Sequence, residues 1–298
     1  MGFYSSIIIG ICITLIGVLS IYIITGMTGM FSLGQASFMA VGAYVSGIMA
    51  KQYGLPFPVA AAIGVCIGAI VGLIVGFPTT RLRKDYVALV TFAFGEAIIA
   101  ILNNLTATGG AMGLSGIPKK TTLTLALLSV AIITFFVWNL KKSRFGRQCL
   151  AMKEDELAAR SMGINVDRIK LTSFVIASAI TSYAGVLYAF NTTYVDPTIF
   201  TWNTSAEWII ILIFGGMNSL TGALVSGVFL GSLPEILRSA SEYRIIIYCV
   251  IVLFIINFNP QGVFGHYEFS LKRFPSDIKK LFAKIKNGKG PKREVENE

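Results

Sequence analysis

"GGMNSLTGALVSGVFLG", residues 215–231, lies inside an uncharged run that extends from Trp208 to Pro234. Glycine recurs at 215, 216, 222, 227 and 231, and Asn218 and Ser219 add two polar side chains. Each glycine inside a helix costs about 0.8–1.0 kcal/mol relative to alanine. One long tilted helix with small residues for packing is the alternative reading of this stretch. Two short helices, 206–217 and 220–236, broken at "GGMNSLTG", fit it better. They either cross separately or form a re-entrant pair. Broken backbone at membrane depth is tolerated only where protein buries it or where it lines a wet cavity. The glycines thus mark a break or a very close helix contact beside a pathway.

The rest of the chain has the composition such a break requires. It is 298 residues long, 54% hydrophobic and 13% charged. No charged side chain occurs in 1–50, 52–80, 121–140, 171–195 or 245–265. A helix needs about 20 apolar residues to cross about 30 Å of hydrocarbon, and these runs lack the alternation of barrel strands. The fold class expected is an all-α polytopic integral membrane protein, with about eight to ten transmembrane or partly embedded helices, glycine-broken segments and a cytoplasmic coupling loop. Spans are expected near 5–25, 30–50, 57–77, 86–103, 122–140, 171–192, 206–236 and 244–258. Residues 1–270 form the membrane domain and 271–298 a basic tail.

Net charge is +10, a balance that in a soluble chain would suggest nucleic acid. Its distribution points elsewhere: three basic residues lie in 81–85, eight in 141–170 and nine in 272–298. Basic residues concentrate in cytoplasmic loops of membrane proteins, so the excess reports orientation, with the lipid bilayer as partner and no nucleic acid. These three segments, the C-terminus included, are expected in the cytoplasm and 104–121 outside. With a basic tail at 272, the crossings after residue 170 must be odd in number, which the broken reading of 206–236 supplies. A related pattern, "GMTGMFSLGQASFMAVGAY" (26–44), suggests an internal repeat of the kind that flanks a central path. Ser32, Gln35 and Ser37 in it, with Gly215, Gly216, Asn218 and Ser219, are the candidate substrate-path residues, together with Glu96, the main carboxylate deep in a span.

The chemistry is sparse. There is one histidine, His266, and no paired carboxylates. The fragment "GKG" (288–290) lacks the Ser or Thr and the strand of a phosphate-binding loop. Cysteines 12, 66, 149 and 249 have no ligand-like spacing. No catalytic residue and no metal site is expected, and few intramembrane ions are available for an ion-coupled carrier. Segment 141–174 is far longer than the usual connection of about 4–6 residues. Its centre reads as a short helix, with Glu154, Asp155 and Glu156 at the start, Arg160 at the end and Gly163 as a left-handed stop. Leu157 and Met162 give it an apolar surface suited to docking another protein.

Six pieces in order, "GMFSLGQASFMAVGAY" (29–44), "DYVALVTFAFGEAI" (85–98), "TGGAMGLSGIP" (108–118), "DELAARSMGINVDRIKLTSFVIASAITSYAGVLYA" (155–189), "GGMNSLTGALVSG" (215–227) and "NPQGVFG" (259–265), resemble the LivM-type permease of branched-chain amino acid importers. Leu157-Ala158-Ala159 after Glu156 resembles the loop by which such permeases meet their ATPase, with Leu in place of the motif's Glu. The resemblance implies a permease subunit of a bacterial plasma-membrane ATP-binding-cassette importer. It implies a second, LivH-like permease subunit, two cytoplasmic ATP-binding subunits and an extracytoplasmic substrate-binding protein. ATP and magnesium would sit on the ATPase subunits and no cofactor in this chain. Coupling would fall to Glu154, Asp155, Glu156, Leu157, Ala158, Ala159, Met162 and Gly163. Related permeases for urea, short amides or aromatic acids, an ion-coupled carrier using Glu96 and a non-transporting membrane subunit stay open as alternatives.

Overall fold

The computed structural model describes residues 2–236 together with Val250, Leu253 and Gly265. The expected span 244–258, apart from Val250 and Leu253, lies outside the described residues, as do the basic tail and His266. Ten helices occur in the described part: α1 (Gly2–Ile21), continued by a π-wound turn Tyr22–Met27, α2 (Gln35–Gln52), α3 (Phe57–Thr79), α4 (Lys84–Asn104), α5 (Leu123–Lys142), α6 (Arg144–Glu154), α7 (Glu156–Ser161), α8 (Val166–Thr192), α9 (Trp202–Gly215) and α10 (Leu220–Ile236). A two-residue antiparallel pairing, Leu114–Ser115 with Tyr194–Val195, is the sheet among the described residues. Five helices are long and apolar enough to cross a membrane. The chain is an all-α, multi-pass membrane protein.

Helix α8 lies at the centre, with the largely buried α1 and α2 packed along it. These contacts are backbone-close. A Cβ on Gly42 would lie 2.1 Å from the Ser182 carbonyl oxygen, and one on Gly185 would lie 1.9 Å from that of Met39. The α3–α8 contact has its own code, a glycine every fourth residue at 64, 68, 72 and 76. Such a stripe lies along one side of a helix, and small residues let membrane helices approach closely. Gly68 receives the Ser182 hydroxyl and Gly72 that of Ser178: added Cβ atoms would sit 1.7 and 1.8 Å from the two Oγ atoms. The opposite side of α3 exposes Ile70, Leu73, Ile74 and Phe77. Peripheral α5 likewise exposes Leu128, Ile132 and Phe135.

One side of the bundle carries Lys84, Lys141, α6, α7 and Lys170 and is called the basic side below. Helix α8 leaves it and ends beside the loop 105–122, where the Thr121 hydroxyl donates to the Leu187 carbonyl at 3.0 Å. Two of the expected spans are refined. The one placed at 30–50 begins only at Gln35, with 29–34 non-helical. The stretch 206–236 breaks as expected: α9 ends at Gly215 and α10 starts at Leu220. The two helices run antiparallel, with Phe214 stacked on Phe229 and Gly215 against Gly222. The long segment 141–170 is not one loop with a central helix. Ser143 caps α6, accepting a hydrogen bond from the Gly146 amide at 3.2 Å, and a second helix follows.

The glycine code of α3 makes a direct test. Gly68→Val should lower the melting temperature of the detergent-solubilised protein, because overpacking costs about 1–3 kcal/mol. Adding Ser182→Ala should recover part of the loss. Gly10→Ala, where an added Cβ meets nothing within 4 Å, should not destabilise. Equal melting temperatures for Gly68→Val and the parent would remove the close α3–α8 contact.

Candidate functional site

The two helix breaks that the sequence pairs by similarity meet in space. At the first, α1 unwinds through its π turn. Gly29 and Met30 donate back to the carbonyls of Thr25 (3.1 Å) and Ile24 (3.3 Å). The chain then runs past α4, where Leu33 donates to Thr91 Oγ1 at 3.2 Å and a Cβ on Gly34 would lie 2.1 Å from the Thr91 carbonyl oxygen. It re-enters helix at Gln35 beside Thr181. That residue lies eleven positions along α8 from Lys170, about 16 Å at 1.5 Å per residue. At the second break, Gly216 donates to the carbonyls of Leu212 (3.0 Å) and Ile213 (3.1 Å) and turns the chain with φ +110°. That conformation favours glycine. Gly26 approaches Met217 so closely that a Cβ there would sit 2.8 Å from the Met217 carbonyl oxygen.

Carbonyls left over where helices end must find donors, since lipid offers none. At the end of α9 the Gly216 amide supplies them, and at the end of α1 and in the turn after α9 lysines do. Lys153, near the end of α6, donates to the Gly26 carbonyl at 2.8 Å and to the side-chain oxygen of Asn218. Lys141, in the last turn of α5, donates to the Asn218 carbonyl at 2.8 Å and lies 5.5 Å from the centre of the Tyr22 ring. Lys84 donates to the carbonyls of Met152 (2.8 Å) and Lys153 (2.9 Å), fixing the end of α6 to the start of α4. Burial pushes the pKa of Lys84 and of Lys153 down. These lysines were missing from the sequence-based site, where they counted only as loop charge.

The path candidates fall into two groups. Ser32, Gln35 and Ser37 gather at the start of α2 and are buried. The Ser37 hydroxyl donates to the Gly34 carbonyl at 2.7 Å. Gln35 Oε1 lies 3.1 Å from the Thr181 hydroxyl, which lies 2.7 Å from Ser20 Oγ. Gly215, Gly216, Asn218 and Ser219 form the α9–α10 turn, and Ser219 Oγ accepts from the Gly222 amide at 3.0 Å. The Ser205 hydroxyl of α9 accepts from the Ala36 amide at 2.8 Å, so α9 passes both groups. Glu96 stands apart on α4. Its Oε1 is buried and has no hydrogen-bond partner among the described residues, so that oxygen lacks the donors expected for a deep carboxylate.

The candidate coupling residues form a rigid knob. Glu154 closes α6, and Asp155 caps α7, accepting from the amides of Leu157 (2.8 Å) and Ala158 (3.1 Å). Gly163 adopts φ +79°, and the Ile164 amide returns to the Ala159 carbonyl at 3.1 Å. Glu156 pairs with buried Lys170 at 2.9 Å, and Lys170 also donates to the Leu82 carbonyl at 3.1 Å. Ala159 faces the body, buried. Ala158 is exposed; Leu157 and Met162 stand out at 76% and 82% exposure.

A family model described as "Branched-chain amino acid transport system / permease component" matches residues 3–256. The chain is 33% identical over 280 residues to the high-affinity branched-chain amino acid transport system permease protein LivM of Salmonella typhimurium, covering 82% of this chain and 66% of the relative. The Escherichia coli LivM matches to the same extent. The LivH permease of Salmonella typhimurium is 28% identical over 193 residues, 62% of this chain and 60% of its own length. The chain therefore spans 66% of the length of the two LivM relatives. No solved structure matches it.

Two outcomes follow from this geometry. Gly216→Ala should lower the melting temperature, since holding a side chain in so unfavourable a conformation costs about 1–3 kcal/mol; an unchanged value would mean that the turn does not need glycine. Hydrogen bonds from Ala158 and Leu157 hold the Asp155 carboxyl below its ordinary range. Its contribution is therefore complete above the unfolded carboxylate value and is lost as pH falls through the depressed folded one. Amide-exchange protection at Leu157 and Ala158 should hold from neutral pH down to about 4 and fall below it. Asp155→Ala should remove that protection at every pH.

Proposed function

Since the chain belongs to the branched-chain amino acid transport system permease component family, we propose that it is a membrane-spanning permease subunit of a bacterial ATP-binding-cassette importer, moving leucine, isoleucine or valine by alternating access. A second, LivH-like subunit would complete the membrane path. Two ATPase subunits carrying ATP and magnesium would bind the basic side, which is the cytoplasmic one by its lysines and arginines. A binding protein would deliver substrate at the opposite face.

One observation carries this reading: α7 presents Leu157 and Met162 to solvent on a helix of six residues that is capped, stopped and ion-paired to the body. Exposed apolar side chains on a fixed element are a docking surface, and helix recognition by a groove uses such anchors. The charges around them are worth less, since exposed ion pairs give about 0–1 kcal/mol. The glycine-hinged turn of α9 and α10 and the non-helical 29–34 supply jointed backbone in the membrane, as a path that changes its opening side requires.

Leu157→Arg places a charge in the proposed contact, and Gly163→Val places a β-branched residue at φ +79°. Both proteins should insert normally yet lose co-purification with the ATPase or its substrate-stimulated hydrolysis. Glu154→Gln should change either by less than about threefold, the scale of an exposed pair. ATP-dependent leucine uptake by both Leu157→Arg and Gly163→Val at parental rates would show that α7 is not the coupling element.

A further inference from the structure

Docking on α7 moves nothing unless the force reaches the path, and one side chain bridges the two. We propose that Lys153 is a positioning residue that ties the movement of α6 and α7 to both helix breaks at once. This rests on the permease reading above. The ammonium joins the Gly26 carbonyl, at the end of α1, to the Asn218 side chain, in the turn between α9 and α10. Lys153 lies two residues before Asp155, the cap of the docking helix. Its own carbonyl is held by Lys84, so α6 cannot slide without taking the start of α4 along. The lysine stem packs on the first break too: a Cβ on Gly29 would lie 3.1 Å from Lys153 Cγ.

The chemistry favours this use of a lysine. The Gly26 carbonyl stands at the end of a helix, where carbonyls carry partial negative charge and attract cations, and an ammonium has three donors, so it can also take the Asn218 side chain in the turn after α9. A displacement of α6 therefore pulls the end of α1 and the α9–α10 turn in the same direction. Lys141 holds the Asn218 carbonyl from α5, so the turn is gripped between the last turn of α5 and α6. Gly29 and Gly216 both lie at positive φ, +74° and +110°.

The test uses the permease co-purified with its partner subunits and reconstituted in liposomes, with leucine, isoleucine and valine as probes. Lys153→Met keeps the stem and removes the charge; Lys153→Arg keeps the charge. In Lys153→Met, uptake per ATP hydrolysed should fall about tenfold or more, the usual consequence of losing a hydrogen bond to a charged group. Subunit association and basal ATP hydrolysis should remain, and Lys153→Arg should recover coupling to within a few-fold. Lys153→Gln, which keeps a donor without the charge, should give a smaller loss of the same kind. It stands in if Lys153→Met does not assemble. Parental coupling in Lys153→Met overturns the proposal. A parallel fall of hydrolysis and uptake, with their ratio kept, also overturns it, because that marks a structural role. Absence of ATP-dependent uptake in the parent complex would instead overturn the permease reading itself.

Discussion

An ammonium group on a broken helix end is the interaction on which the rest depends. A helix end leaves its last carbonyls without an intrahelical donor. Two helices end close together here, after Met27 and after Gly215. From α6, Lys153 takes the Gly26 carbonyl, and from α5, Lys141 takes the Asn218 carbonyl in the turn that follows Gly215. Burying an ammonium is costly unless it is hydrogen-bonded, and the carbonyl and amide oxygens offset that cost. Each partner thus stabilises a feature that would be unfavourable alone. The consequence is geometric: the chain can re-enter α2 deep beside α8, and α10 can turn back along α1.

Around this joint the bundle is stiff. Helices α2, α3 and α8 approach at glycine distance, and the serines that enter the gaps are themselves bonded. The Ser182 hydroxyl donates to the Phe38 carbonyl at 2.9 Å and that of Ser178 to the Val175 carbonyl at 2.9 Å. Packing of this closeness resists gradual deformation. Any movement the proposed cycle needs would therefore fall to segments where helix gives way to turns, as at Gly29 and Gly216. Rigid blocks with few joints are the arrangement by which a small push on one side becomes a change of opening on the other.

The break at 215–222 was legible because glycine is the residue that weakens a helix, and it was repeated. The knob at 154–163 was legible because capping chemistry is local: Asp155 and Gly163 act within a few residues of themselves. What escaped the reading acts over distance. Lys153 is 127 residues from Gly26 and 65 from Asn218, and nothing in "AMKEDE" tells its lysine from those that only face water. The fourfold glycine spacing of α3 was present in the sequence, but its partner serines lie more than a hundred residues later. The start of α2 was set too early because 29–34 is apolar enough for helix. Gly34 and the hydroxyl acceptors of Thr91 and Ser205, which take the Leu33 and Ala36 amides, decide its course instead.

The shape of the proposed docking knob has a physical reason. Six residues are too few to hold a helix in water, where isolated helices shorter than about 12–15 residues are marginal. Helix α7 persists because each end is fixed: Asp155 satisfies its first amides, Gly163 turns its last carbonyls inward and Glu156 binds Lys170. Leu157 and Met162 can then stand in solvent without collapsing onto the body. Their burial by a partner would be worth about 1.5–3 kcal/mol each. That is enough to seat a groove on the knob and small enough to let it move between states. A more flexible loop would spend part of that energy on its own ordering. A larger apolar face would invite association with any exposed surface. A short, anchored, two-residue apolar contact, its cap two positions beyond the lysine that grips both breaks, suits the proposed passing on of force.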